Sequence, residues 1–134
     1  MSCLIIGDSI AYGTSQVRKD CRSYTQVGIS TIGWSKKWLK SVDYVADTVF
    51  ISLGSNDLYR HFEEVADALY EIRGQIGYGK NVIWVLPAIK PWVQDLIWEV
   101  AYEYGDNVIE LKQLSPDRVH PTYNGYRALG AAIK

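Results

Sequence analysis

A chain of 134 residues, 48% of them hydrophobic and carrying a formal net charge of −1, has the length for one domain (residues 1–134) and the apolar material for one core. That composition excludes a disordered or low-complexity chain, and a near-neutral balance without a basic run argues against a nucleic-acid partner. No apolar stretch approaches the roughly 20 residues a membrane-spanning helix needs, so no membrane partner is expected. The start, MSCLIIGDS, lacks the basic region and long apolar stretch of a signal peptide. A soluble, cytoplasmic chain is the default expectation, with export by another route or incorporation in a larger assembly left open.

In chain order, the first predicted element is a strand over residues 3–6, CLII, nearly continuous in apolar residues as a strand covered on both faces should be. Cys3 lies in this run and reads as a small core residue; a disulfide to Cys21 has no secretory context to support it. A weaker strand covers 23–27. A short helix over 33–42 follows, with Trp38 and Leu39 inward. Residues 48–53, TVFISL, form the third strand. Phe62, Val65, Ala66, Leu69, Ile72 and Ile76 recur at helical spacing, and Gly77 is placed to end that helix. The fourth strand is 82–86. A second helical stripe runs through Val93, Leu96, Ile97, Val100, Ala101 and Tyr104, between Pro91 near its first turn and Gly105 at its stop. A fifth strand, 108–111, precedes a last helix that starts after Pro121 with Thr122 as its cap and buries Tyr126, Leu129 and Ile133.

Strands alternating with helices in this way predict a parallel sheet with helices on both sides. In such sheets functional residues gather beyond the C-terminal ends of the strands. Ser9 follows the first strand at a strand-to-helix turn, where its N–H lies near a helix N-terminus; a helix-capping serine is the plainer alternative. The third strand ends in Gly54-Ser55-Asn56-Asp57, in which Asn56 offers an amide donor and Asp57 a cap for the following helix. Gly28 and Gly33 follow the second strand, and either glycine can present an unobstructed N–H. Near the C-terminus, Asp117 and His120 are separated by two residues, so they can bond within one turn. A serine hydroxyl needs a base to take its proton, histidine suits that task near neutral pH, and a carboxylate orients the imidazole.

Taken together, Gly7-Asp8-Ser9-Ile10, Gly33, Gly54-Ser55-Asn56-Asp57 and Asp117-Arg118-Val119-His120-Pro121 resemble the four blocks of the SGNH hydrolases, or GDSL esterases and lipases, in the right order across residues 7–121. The resemblance implies a flavodoxin-like three-layer αβα sandwich with a five-stranded parallel sheet in the order 2-1-3-4-5. It also implies Ser9 as nucleophile, His120 as base, Asp117 as its orienting acid, and an oxyanion hole from the Ser9 and Gly33 N–H groups and the Asn56 side chain. Two departures stand out. Ile10 replaces the signature's leucine, and Gly33 rather than Gly28 is matched to the second block only by spacing from the strand.

The expected activity is hydrolysis of a carboxylic ester through a serine acyl-enzyme, with no metal and no organic cofactor. Few residues are left for lids and acyl pockets, which points to a shallow cleft and a small acyl group, such as acetyl, on a carbohydrate or similar alcohol. Tyr12, Trp34, Tyr59, His61 and Trp92 fall near the strand ends, and Tyr12, Trp34, Tyr59 and Trp92 are the candidate substrate contacts. A short-chain esterase or thioesterase is the runner-up, and a non-catalytic binding or structural domain that keeps the hydrolase fold is the reading from another class. Oligomeric state is not legible.

Overall fold

The structure is a computed structural model, and it describes residues 2–134. The elements run β1 (Cys3–Gly7), α1 (Ser9–Val17), β2 (Arg22–Thr25), α2 (Thr31–Trp38), β3 (Thr48–Ser52), a 3-10 turn (Tyr59–His61), α3 (Phe62–Ile76), β4 (Asn81–Leu86), α4 (Pro91–Tyr104), β5 (Asn107–Glu110) and α5 (Tyr123–Ala132). The five strands are all parallel, in the order β2-β1-β3-β4-β5. This is the three-layer αβα architecture and strand order that the sequence motifs imply.

Alternation along the strands sorts the core into two layers. Leu4, Ile6, Val49, Ile51, Val82 and Trp84 face α2, α3 and α4, whereas Ile5, Phe50, Ile83 and Val85 face α1 and α5. β1 and β3 are buried along their whole length, so their side chains carry no polar alternation. Gly77 and Gly105 end α3 and α4 as expected, with Gly105 in the left-handed region at φ 71°. Thr122 caps α5, its hydroxyl accepting the Gly125 N–H at 3.2 Å.

Two expectations need correction. The helix after β2 begins at Thr31, two residues earlier than its pattern indicates, because Ser30 caps it through the Gly33 N–H. The start then turns Trp34 fully inward, and Trp38 is only half-buried against it. The second correction concerns the cysteines. Cys3 and Cys21 form a disulfide, with Cα atoms 4.8 Å apart. The parallel register explains it. Leu4 faces Arg22 in the β1–β2 ladder, so the residues just before them face each other. A disulfide at this place sits poorly with the reducing compartment of the default expectation.

Replacing both cysteines with serine should leave the fold intact and lower its stability by about 3 kcal/mol, the scale for a closed loop of this length. Urea unfolding of Cys3→Ser/Cys21→Ser against the oxidised parent measures it, and a thiol titration of the denatured parent should find no free sulfhydryl.

Candidate active site

The C-terminal edge of the sheet brings together residues from both ends of the chain. β1 stops at Gly7, whose φ of 141° suits glycine. A Cβ there would collide with the Ser52 carbonyl on β3, so only glycine allows the two strand ends this close approach. Asp8 then caps α1. Its Oδ1 accepts the Ile10 N–H at 3.0 Å and the Ser52 hydroxyl at 3.2 Å. Ser9 is the first residue of α1, where its own N–H has no acceptor within the helix.

His120 arrives on a hairpin-like loop that leaves β5 and returns to α5. The Leu114–Pro121 bridge closes its base, the Ser115 N–H donates to the His120 carbonyl at 2.7 Å, and the Thr122 N–H to the Gln113 carbonyl at 2.7 Å. Arg118 takes a left-handed φ of 60° at the tip. Folded this way, Asp117 Oδ1 accepts the Val119 and His120 N–H groups at 2.9 and 3.0 Å, while Oδ2 lies 2.7 Å from His120 Nδ1. The other ring nitrogen, Nε2, lies 2.8 Å from Ser9 Oγ. An unbroken line of contacts therefore runs Asp117–His120–Ser9. The backbone N–H groups of His120 and Val119, and then the imidazole, hold the Asp117 carboxyl down at about 2, so it is an anion at any ordinary pH.

The β3 end supplies the third component. Gly54 has a φ of 119° and packs so close to Val93 of α4 that a Cβ would clash with it. The Asn56 side-chain amide donates one hydrogen to the Ile29 carbonyl at 3.1 Å. Its second amide hydrogen remains available at the exposed edge. Asp57 differs from its expected role. Instead of capping the helix that follows, it is buried and binds the start of α2, accepting the Thr31 N–H at 2.7 Å and the Thr31 hydroxyl at 2.6 Å.

Other expected site residues separate clearly. The Gly33 N–H is spent on the Ser30 hydroxyl at 3.0 Å, inside α2, and is not a free donor. Gly28 is exposed, at φ 81° with open space around it. Trp34 is 0% exposed and its indole N–H is bonded to the Tyr24 carbonyl, so it does not reach a substrate. Tyr12 is exposed on α1, three residues after Ser9. Tyr59 and Trp92 pack edge-to-face at 5.6 Å, and both also touch Phe62, a ring that helical periodicity had assigned to the core. His61 faces Glu64 at 3.3 Å and takes no part in the Ser9 contacts.

The arrangement can carry acyl transfer: a hydroxyl against an imidazole, an imidazole against a fixed carboxylate, and the Ser9 N–H and Asn56 amide as donors at the same sheet edge. Cys3, Asp20 and Cys21 form the one cluster of metal-ligating type among the described residues, and the disulfide engages both sulfurs. A cavity of about 490 Å³ lies along β5 between Trp98 and α5; it is lined mainly by apolar side chains, without Ser9, Asn56 or His120, and is not this site.

No family model and no curated protein matches the chain. Solved structures do. A member of the lipolytic G-D-S-L family from Veillonella parvula is 20% identical with a TM-score of 0.64, over 98% of this chain and 94% of that one. The C-terminal catalytic domain of a Streptococcus pneumoniae peptidoglycan O-acetyltransferase is 16% identical with a TM-score of 0.65, over 99% and 96%. Phospholipase A1 from Streptomyces albidoflavus is 12% identical with a TM-score of 0.63, over 94% of each. At these identities the likeness is one of fold.

Asp8 makes the site's edge sensitive to pH. Burial pushes its carboxyl up to about 6 from the ordinary 3.8, against the pull of the Ile10 N–H and the Ser52 hydroxyl, and its Oδ2 is buried with no donor. The unfolded chain therefore loses this proton first as pH rises, and folding stability declines between about pH 4 and 6 before levelling off. Asp8→Asn keeps an acceptor for both donors and removes that slope. Relative to the parent it should gain about 2 kcal/mol between pH 4 and pH 7, read from urea unfolding at the two values.

Proposed function

We propose that this chain, whose fold is that of the lipolytic G-D-S-L proteins, is a serine ester hydrolase that removes a small acyl group, acetyl above all, from a carbohydrate or similar alcohol. The observation that carries the reading is the Asp117–His120–Ser9 line, a 2.7 Å contact within one loop continued by a 2.8 Å contact to a residue 111 positions away. With Nδ1–H directed at the Asp117 anion, His120 presents the Nε2 lone pair to Ser9 Oγ. Attack on the ester carbonyl moves the Ser9 proton to Nε2, and the developing oxyanion takes hydrogen bonds from the Ser9 N–H and the Asn56 amide. The imidazolium then returns its proton to the departing alcohol. Water enters, His120 takes its proton as the water oxygen attacks the acyl carbon, and the imidazolium returns that proton to Ser9 Oγ as the ester bond breaks and the acid leaves.

The substrate class follows from how little surrounds these groups. The side chains of His120 and Asp117 are 41% and 49% exposed, so water reaches the base directly, which suits hydrolysis. Tyr12 and Tyr59, each three residues along the chain from Ser9 and Asn56 respectively, are exposed aromatics, and rings of that kind stack on sugars. A line of contacts built this closely also speaks against a domain that only binds.

With p-nitrophenyl acetate, butyrate and octanoate, the parent should hydrolyse acetate fastest. Ser9→Ala and His120→Ala should each lose at least about 10³-fold in kcat, to similar extents because the two act as a unit. Equal nitrophenol release by the parent and Ser9→Ala would refute the enzyme reading; preference for octanoate would refute the small-acyl reading. Asn56→Ala should cost on the order of 10²–10³ in kcat with KM little changed, since its donor acts where charge develops.

A further inference from the structure

We propose that Lys90 is a positioning residue that clamps the Gly54–Asp57 turn and so holds the Asn56 donor against the nucleophile; the Asn56 role rests on the ester-hydrolase reading above. Lys90 stands in a conformation that its own chemistry disfavours. It is left-handed, at φ 65° and ψ 75°, and directly precedes Pro91 at the start of α4. Side chains other than glycine rarely adopt that region, and a residue before proline is pushed toward extended backbone. Glycine would meet the backbone requirement more easily. What lysine adds is the ammonium, which donates to the Asp57 carbonyl at 2.6 Å.

The polar groups of Asp57 show why that bond matters. The residue is buried, its carboxylate is taken up by Thr31, and its N–H closes the turn onto the Gly54 carbonyl at 3.1 Å. The remaining group is its carbonyl oxygen, and the Lys90 ammonium is the partner it has. A buried carbonyl left without a donor is costly, so the turn would shift to find one. Asn56 sits inside this turn, tied on its other side to the Ile29 carbonyl. The donor is thus gripped by loops from both neighbouring crossovers: Ile29 and Thr31 after β2, and Lys90 with Val93 after β4. A displacement of a fraction of an ångström here acts on the transition state more than on substrate binding.

The test uses Lys90→Met, which keeps the length and removes the donor, Lys90→Arg, which restores a donor, and Lys90→Met in an Asn56→Ala background. Lys90→Met should lower kcat for p-nitrophenyl acetate about tenfold with KM within about twofold, Lys90→Arg should recover most of it, and the amide of Asp57 should exchange with deuterium at least about tenfold faster while the Ser115 amide is unchanged. In the Asn56→Ala background the same substitution should cost less than about twofold, because its target is gone. Unaltered exchange at Asp57, a kcat within twofold of the parent, or an undiminished tenfold loss in the Asn56→Ala background would each overturn the proposal. Should the parent hydrolyse no ester, the ester-hydrolase reading falls on that result, and exchange at Asp57 alone decides the clamp.

Discussion

The site depends on the close approach of two parallel strands at their C-terminal ends. Where β1 meets β3, the Gly7 α-carbon lies against the Ser52 carbonyl, and no side chain fits between them. The Asp8 N–H then donates to that same Ser52 carbonyl at 2.9 Å, and the Asp8 carboxyl receives the Ser52 hydroxyl. β1 is thereby fastened to β3 at the last position before α1 begins. Ser9 inherits its place from that fastening, and the turn carrying Asn56 starts only two residues beyond Ser52. Hydroxyl and amide are brought to one edge by backbone geometry, before any contact between the two side chains is considered. The burial of the Asp8 carboxyl follows from the same packing.

Local and long-range order are divided differently for His120. Asp117 binds three groups within three residues of itself, two backbone amides and the imidazole, so this pair is assembled by the loop alone. The anion is held by the same N–H groups that set the turn, which couples the loop's shape to the charge state that orients the histidine. Only the final contact, His120 to Ser9, requires the whole fold, because it depends on α5 packing beside α1. Gly13 and Gly130 permit that packing: a Cβ at Gly13 would enter the Tyr126 ring, and one at Gly130 would press on Val17.

Most of the architecture was legible because apolar runs and helical stripes are local signals: all five strands and three of the four helices appear within two residues of their expected limits, while the helix expected over 33–42 runs from Thr31 to Trp38. Ser9, Asn56, Asp117 and His120 were legible as residue types at strand ends. What escaped was set by register and by competition among donors. Cys3 and Cys21 meet because β1 and β2 pair in one parallel register, and nothing in their spacing declares that. Gly33 looks like a free amide until Ser30 is known to cap α2. Trp34 reads as a rim aromatic only while the helix is taken to start at residue 33 with Trp38 inward, and Asp57 reads as a cap for the wrong helix because its partner lies in an earlier crossover. Arg73 on α3 carries no sequence signal of its place. It is buried in a two-toothed ion pair with Asp106, shared with the Trp84 indole, and a charge pair of that kind is visible only once α3 and the start of β5 are adjacent.

A polar site with short connections faces a particular physical difficulty. Long loops can surround catalytic groups with packed side chains and fix them by exclusion. Here the groups stand at an open edge where water competes for every hydrogen bond, and exposed polar side chains left to themselves sample many rotamers. The structure answers with bonds to backbone atoms. The Asn56 side chain is tied to a carbonyl, Asp117 to two amides, and the Asn56 turn to an ammonium and a threonine from either side. Backbone partners have little conformational freedom to lose, so each such bond restricts a side chain at small entropic cost. Order at this site comes from polar tethers that reach into the sheet and its crossovers, and that is how an edge open to water can still hold Asp117, His120 and Ser9 within hydrogen-bonding distance.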